Sequence, residues 1–301
     1  MSQGSPKVQP ILVCMVWRGG ERFARCIESI QRSRKYFSRV ILSITGPIDG
    51  DDMRRARALQ EDDSSIEVIC TGVELPTMKH QDFWITYLQT TQTRSDEWIY
   101  WLAYDDEVKQ SGLAHIANDG SWPLTPGTAY FGPWALRHET PDQLWDGDRN
   151  EPLESWTSFP TEGPLTLPVE QWIGDQLIQP TYMQMSGSVN PFAAFESLKS
   201  SHPRKRGPMR IEMAIAAQPC TQYVAEFAEP VSIIYGRSNS DRASYGRAAR
   251  LEDAHLLAVM TKRAMASPRH GPDFTRALTH ALTKRKRASV EEWRVRGHVA
   301  P

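Results

Sequence analysis

Four apolar runs within the first 105 residues constrain this chain more than any other feature: Ile11–Trp17, Val40–Ile44, Ile66–Ile69 and Trp98–Tyr104. A strand with water on one face alternates apolar and polar residues. A near-continuous apolar run of this length is instead the pattern of a strand covered on both faces, as in a parallel sheet between helical layers. The intervening segments supply those layers. Phe23, Cys26, Ile27 and Ile30 fall at the three-and-four spacing of an amphipathic helix, with Arg22, Arg25, Glu28 and Arg32 on its other side. A short helix is expected from Met53 and a longer one from about Met78 to Gln92. Four strands alternate with three helices, which predicts an α/β fold: a mostly parallel sheet with helices on both faces and right-handed crossovers.

The chain is long enough for one large domain with a C-terminal appendage, and its 40% hydrophobic content supplies the core. The middle third, Asn118 to Pro180, is rich in Pro and Trp, with one strand expected at Thr128–Phe131. Loops this long usually carry function. Further on, Met183–Val189 reads as a strand, and Asn190-Pro191 as a helix start. Gly207–Glu212 precedes a helix bearing Met213, Ile215, Ala216 and Ala217, and Val231–Tyr235 is a last apolar strand. Two helices, from Arg250 to Met265 and from Asp273 to about Arg287, complete the chain.

Cys14, Cys26, Cys70 and Cys220 form no C-x-x-C pair, so reduced thiols and a cytoplasmic setting are expected. The N-terminus lacks a basic start followed by an apolar stretch, and no window approaches the ~20 apolar residues of a membrane span. The formal net charge is only −1, and nucleic acid is not an expected partner. The basic excess is confined to the tail, where Lys284–Arg287 ends a helix with an apolar stripe of Phe274, Leu278, Ala281 and Leu282. That segment suits peripheral contact with the inner membrane face, or packing on the main domain with its basic end complementing the helix C-terminus.

Asp105 and Asp106 follow directly on the fourth run. In open α/β sheets ligands bind outside the carboxyl ends of the strands, and a carboxylate there can hold a hard divalent cation that also grips phosphate oxygens. Neither glycine-rich fingerprint for phosphate binding occurs, so the backbone is not expected to cradle a diphosphate and a metal would take that part.

In their order over residues 10–240, these features resemble the bacterial family-2 inverting glycosyltransferases, which have the GT-A fold. The family's Leu-Asp-x-Asp-Asp strand end is similar to Leu102–Asp106, with Ala103 in place of the first aspartate. The resemblance implies a nucleotide-binding part at 10–110 and an acceptor part at 111–245, followed by a basic helical appendage at 246–301. It implies Mn²⁺ or Mg²⁺ on Asp105 with Asp106 beside it, and a base-reading acid at Asp49. A polar helix residue is implied at Lys79 or Gln81, and a cation for the departing diphosphate at Arg237 or Arg242. Glu212, opening a helix after a glycine-proline turn, is placed as the general base that removes the acceptor proton. The implied activity is transfer of a sugar, with inversion, from a nucleotide-diphosphate donor to a saccharide or lipid-linked saccharide in polysaccharide or glycoconjugate assembly. The absence of Gln-x-x-Arg-Trp argues against a processive synthase. The alternatives are a non-catalytic carbohydrate-binding protein on the same fold and a sugar nucleotidyltransferase. Trp122, Trp134, Trp145, Trp156 and Trp172 are read either as stacking surfaces for an acceptor or as core anchors.

Overall fold

The computed structural model describes residues 8–117, 119–139, 154–156, 166–178, 185–201, 211–237, 258–268, 271–272, 275–276, 279 and 283. The expected alternation is present. β1 (Ile11–Trp17) leads to α1 (Gly20–Ser33), β2 (Arg39–Thr45) to α2 (Asp51–Asp62), and β3 (Ile66–Cys70) to α3 (Thr77–Thr90), before β4 (Trp98–Ala103). Then come β5 (Glu107–Val108), α4 (Gln110–Ile116), β6 (Thr128–Tyr130), β7 (Trp134–Glu139), β8 (Glu154–Trp156), β9 (Thr166–Pro168) and α5 (Val169–Ile178). They are followed by β10 (Ser188–Pro191), α6 (Phe192–Ser201), α7 (Ile211–Ala216), β11 (Tyr223–Ala225) and β12 (Ser232–Arg237).

The larger sheet runs β3-β2-β1-β4-β10-β6-β11-β9. Its first four strands are mutually parallel, and β10 joins β4 antiparallel. Side chains alternate faces along a strand, and β1 shows it plainly. Ile11, Val13 and Met15 enter one core cluster, with Trp84, Ile85 and Leu88 of α3, Trp172 of α5 and Phe192 and Phe195 of α6. Leu12, Cys14 and Val16 enter the other, with Phe23, Cys26 and Ile30 of α1 and Met53, Ala56 and Leu59 of α2. Helices therefore cover both faces of a GT-A-like α/β sheet. Full burial of each large side chain contributes about 1.5–3 kcal/mol, and the edge-on contact of Trp84 with Phe195, centroids 5.1 Å apart, adds about 0.5–1.5.

Some features differ from expectation. Asn190 and Pro191 belong to β10, opposite Ile99 and Trp98, so the helix begins at Phe192. Proline is tolerated at this strand end because β6 pairs β10 only at Val189, so no ladder bond needs a Pro191 amide. A second sheet, β5-β12-β7-β8, was not expected: β12 is the anticipated last strand, but the strands it gathers are short or lie in the aromatic middle third. Trp122, Trp134 and Trp172 are core residues, and no acceptor can stack on them. Residues 258–266 are helical and bury Met260 and Ala264 in the first core cluster, so this part of the C-terminal segment packs on the main body. Trp145, Arg242 and Lys284–Arg287 lie outside the described residues. No helix among the described residues is long and apolar enough to cross a membrane.

Candidate functional site

The strand order 3-2-1-4 sends successive connections one way from β1 and then reverses them, and the crevice of such a sheet opens at that reversal. A cavity of about 450 Å³ lies there. Met15 and Trp17 of β1, Thr45 of β2 and Trp101 and Ala103 of β4 reach it from the carboxyl ends of the strands; Glu74–Thr77 and His80 close it from the β3–α3 side, and Tyr104 from the turn after β4. Trp101 donates its indole N–H to Met15 Sδ at 3.2 Å, which ties the two strands together under the cavity.

The wall is held in place by its own hydrogen bonds. Thr45 Oγ1 accepts from the Leu75 amide at 2.6 Å and so pins the loop before α3 to the end of β2. His80, only 2% exposed, shares a 2.8 Å bond between Nε2 and Ser43 Oγ. Burial lowers its pKa to about 4, which leaves a neutral imidazole in the cavity at neutral pH. At the rim, Arg18 donates twice to the Glu74 carboxylate, at 2.9 and 3.0 Å, and holds it below the usual carboxylate range. The Arg18 guanidinium also lies 5.2 Å from the Trp17 ring centroid. Arg18 adopts φ +50°, a left-handed conformation that non-glycine residues seldom take. Trp17, 43% exposed, thus stands at the mouth as a braced aromatic plate.

The start of α1 is not open to a phosphate. The Gly19 and Gly20 amides donate to the two oxygens of Asp52, at 2.7 and 3.0 Å. An anion that would otherwise sit on those helix-end amides meets a carboxylate instead.

The strand-end aspartates have different surroundings. Asp105 is half-buried, two residues beyond the cavity-lining Ala103. Asp106 is 4% exposed, and its Oδ1 accepts the Tyr235 amide of β12 at 3.1 Å. Beyond it, Glu107 is buried and accepts from the Tyr235 hydroxyl. Above the end of β4, Ser186 Oγ accepts from the Ala103 amide at 3.0 Å and the Gly187 amide donates to the Trp101 carbonyl at 2.7 Å. Gly187 has φ +80°, and a Cβ there would stand 2.0 Å from Ser232 Oγ, so only glycine fits this turn.

Of the residues nominated from sequence, Asp49 and Lys79 are exposed and are not part of the cavity wall. Each points away for a local reason: Asp49 lies in the Pro47–Gly50 turn, where its carbonyl accepts from Arg54, and Lys79 sits on the outer side of α3 beside the inward-facing His80 and Gln81. Glu212 is the second residue of α7, and Arg237 ends β12; the placement of both side chains lies outside the described residues, as does Arg242 altogether. Among the described residues no three His, Cys, Asp or Glu side chains converge as a metal cage. Trp17, Thr45, Glu74, His80 and Trp101 were missed. The apolar runs marked where their strands end, but not which side chains meet across them.

Comparison with protein-family models and with curated protein sequences gives no match. Solved structures do match. Residues 1–349 of S. aureus TarS in complex with UDP-GlcNAc superpose with a TM-score of 0.56 at 7% identity, over 91% of this chain and 72% of that one. The same segment in complex with UDP gives 0.53 at 6% identity, over 91% and 71%. At such identity the likeness is one of fold, and it is consistent with the GT-A-like architecture seen here.

Proposed function

We propose that the chain is a metal-dependent glycosyltransferase that takes a sugar from a nucleotide-diphosphate donor and passes it, with inversion, to a saccharide or lipid-linked saccharide hydroxyl. The observation that carries this reading is the cavity at the β1–β4 crevice with Asp105 directly following the wall residue Tyr104. Its aromatic and apolar lining, with Trp17 at the mouth, suits a nucleobase, and the neutral His80 and the Thr45–Leu75 bond give it a fixed shape. The diphosphate would then extend toward Asp105.

The donor set suits a divalent ion. Mg²⁺-type sites use one or two carboxylates together with substrate phosphates and water rather than a cage of protein ligands, and a half-buried strand-end carboxylate matches that demand. Asp105 would hold the Mn²⁺ or Mg²⁺, whose contribution is to neutralise charge on the departing diphosphate. Asp106, already bonded to Tyr235, braces the turn. Glu212 is the proposed base, placed on the acceptor side to take the proton from the attacking hydroxyl. Arg237 and Arg242 are proposed to meet the diphosphate from the end of β12 and beyond.

In support of the reading, the TarS segment that shares this fold was solved with UDP-GlcNAc and with UDP. The test is a thermal-shift screen of UDP, GDP, ADP and CDP with and without Mn²⁺. A ligand at 100 times its dissociation constant raises stability by about 2.7 kcal/mol. A shift with one nucleotide that needs the metal supports the proposal; no shift with any of them ends it. Metal-dependent donor hydrolysis then separates an enzyme from a sugar-binding protein on the same fold.

A further inference from the structure

A buried charged network lies directly behind Asp105. Arg25 of α1 is 6% exposed and donates from Nη2 to the Asp105 carbonyl at 3.3 Å. Its Nε lies 3.3 Å from Glu107 Oε1, and its guanidinium carbon stands 3.6 Å from the centroid of the Tyr235 ring. Arg32, two turns further along α1, reaches the other Glu107 oxygen at 3.6 Å. The Tyr235 hydroxyl donates to Glu107, and the Tyr235 amide donates to Asp106. Ser29, between the two arginines on the same helix, accepts from the Val108 amide at 3.0 Å. One helix face thus anchors successive points from 105 to 108 and links them to β12.

Stability alone does not account for this arrangement. Burying an arginine and a glutamate carries a large desolvation penalty, and well-packed apolar residues often serve as well or better. What apolar residues cannot do is direct several donors at one short turn. We propose that Arg25 is a positioning residue for Asp105. Its planar guanidinium holds the Asp105 backbone, the Glu107 carboxylate and the Tyr235 ring at once, and so sets the direction in which the Asp105 carboxylate meets the metal and diphosphate. Lysine has the charge but not the planar fork, so it can keep the ion pair with Glu107 while losing the hold on the turn. This inference rests on the reading of Asp105 as the metal-holding residue.

The experiment is calorimetric titration of UDP and GDP, each with and without Mn²⁺, into the wild-type chain, Arg25→Lys, Tyr235→Phe, Asp105→Asn and the double variant Arg25→Lys/Asp105→Asn. Partners that orient a metal's ligands typically contribute 10–100-fold in metal affinity. Arg25→Lys is expected to lose at least 10-fold in Mn²⁺-dependent affinity, with no change in binding without metal and no further loss on the Asp105→Asn background. Tyr235→Phe, which removes only one hydroxyl from the network, is expected to show a smaller loss of the same kind and decides the matter if Arg25→Lys does not fold. Wild-type-like affinity in the folded variant overturns the proposal, as does an equal loss with and without Asp105. A wild-type chain with no metal-dependent affinity overturns the reading of Asp105 itself, and the positioning role falls with it.

Discussion

The Tyr235 backbone amide donates to Asp106 Oδ1 at 3.1 Å, so one of two adjacent strand-end carboxylates is engaged in the protein interior while its neighbour is only half-buried. Asp106→Ala should therefore act through stability. It strands a buried amide at a cost of about 1–3 kcal/mol, which urea denaturation reads directly. A chain as stable as wild type would show that the contact with β12 is dispensable.

Asp105→Ala should do the opposite. Its melting temperature is expected to stay close to that of the wild type while metal-dependent nucleotide binding is lost. Retention of that binding, followed by calorimetry with Mn²⁺, would sink the metal assignment.

Trp17 stands at the cavity mouth with nearly half its surface exposed, so its removal should disturb the core little. If it stacks on the donor base, Trp17→Ala weakens nucleotide binding by about 1–3 kcal/mol, the usual range for base–aromatic stacking. Unchanged affinity would move the base elsewhere in the cavity.

His80 makes stability depend on pH. Its folded-state pKa of about 4 lies below the ordinary 6.5, so between these values the unfolded chain binds the proton more readily. Its contribution is fully present above pH 6.5, is lost as the pH falls toward 4, and amounts to about 3 kcal/mol across that window. His80→Gln should flatten this part of the stability profile. Equal slopes for variant and wild type in urea unfolding at pH 7, 5.5 and 4.5 would contradict it.

For Glu212, proposed as the base, the split between binding and turnover is diagnostic. Glu212→Gln should leave donor affinity intact and reduce turnover by about 10²–10⁴. Near-normal transfer to the acceptor would remove it from the mechanism, and collapse of donor affinity would make it structural.

The sequence by itself determined the parallel half of the sheet, the covered face of α1, the presence of α2 and α3, and the position of Asp105 at a strand end. These follow from local periodicity, since runs such as Ile11–Trp17 and the spacing of Phe23, Cys26, Ile27 and Ile30 report which faces are buried. Strands of two or three residues such as β5 and β8 are too short to show a period, so the second sheet was not legible. Tertiary structure alone decided which aspartate turns inward, because the amide that binds Asp106 lies 129 residues away. It also decided that Trp17, Glu74 and His80, rather than Asp49 and Lys79, form the cavity, since the pairing of β1 with β2 and β4 brings those chain ends together. A periodic pattern tells a residue which layer it faces. Only the packing of layers tells it what it meets there.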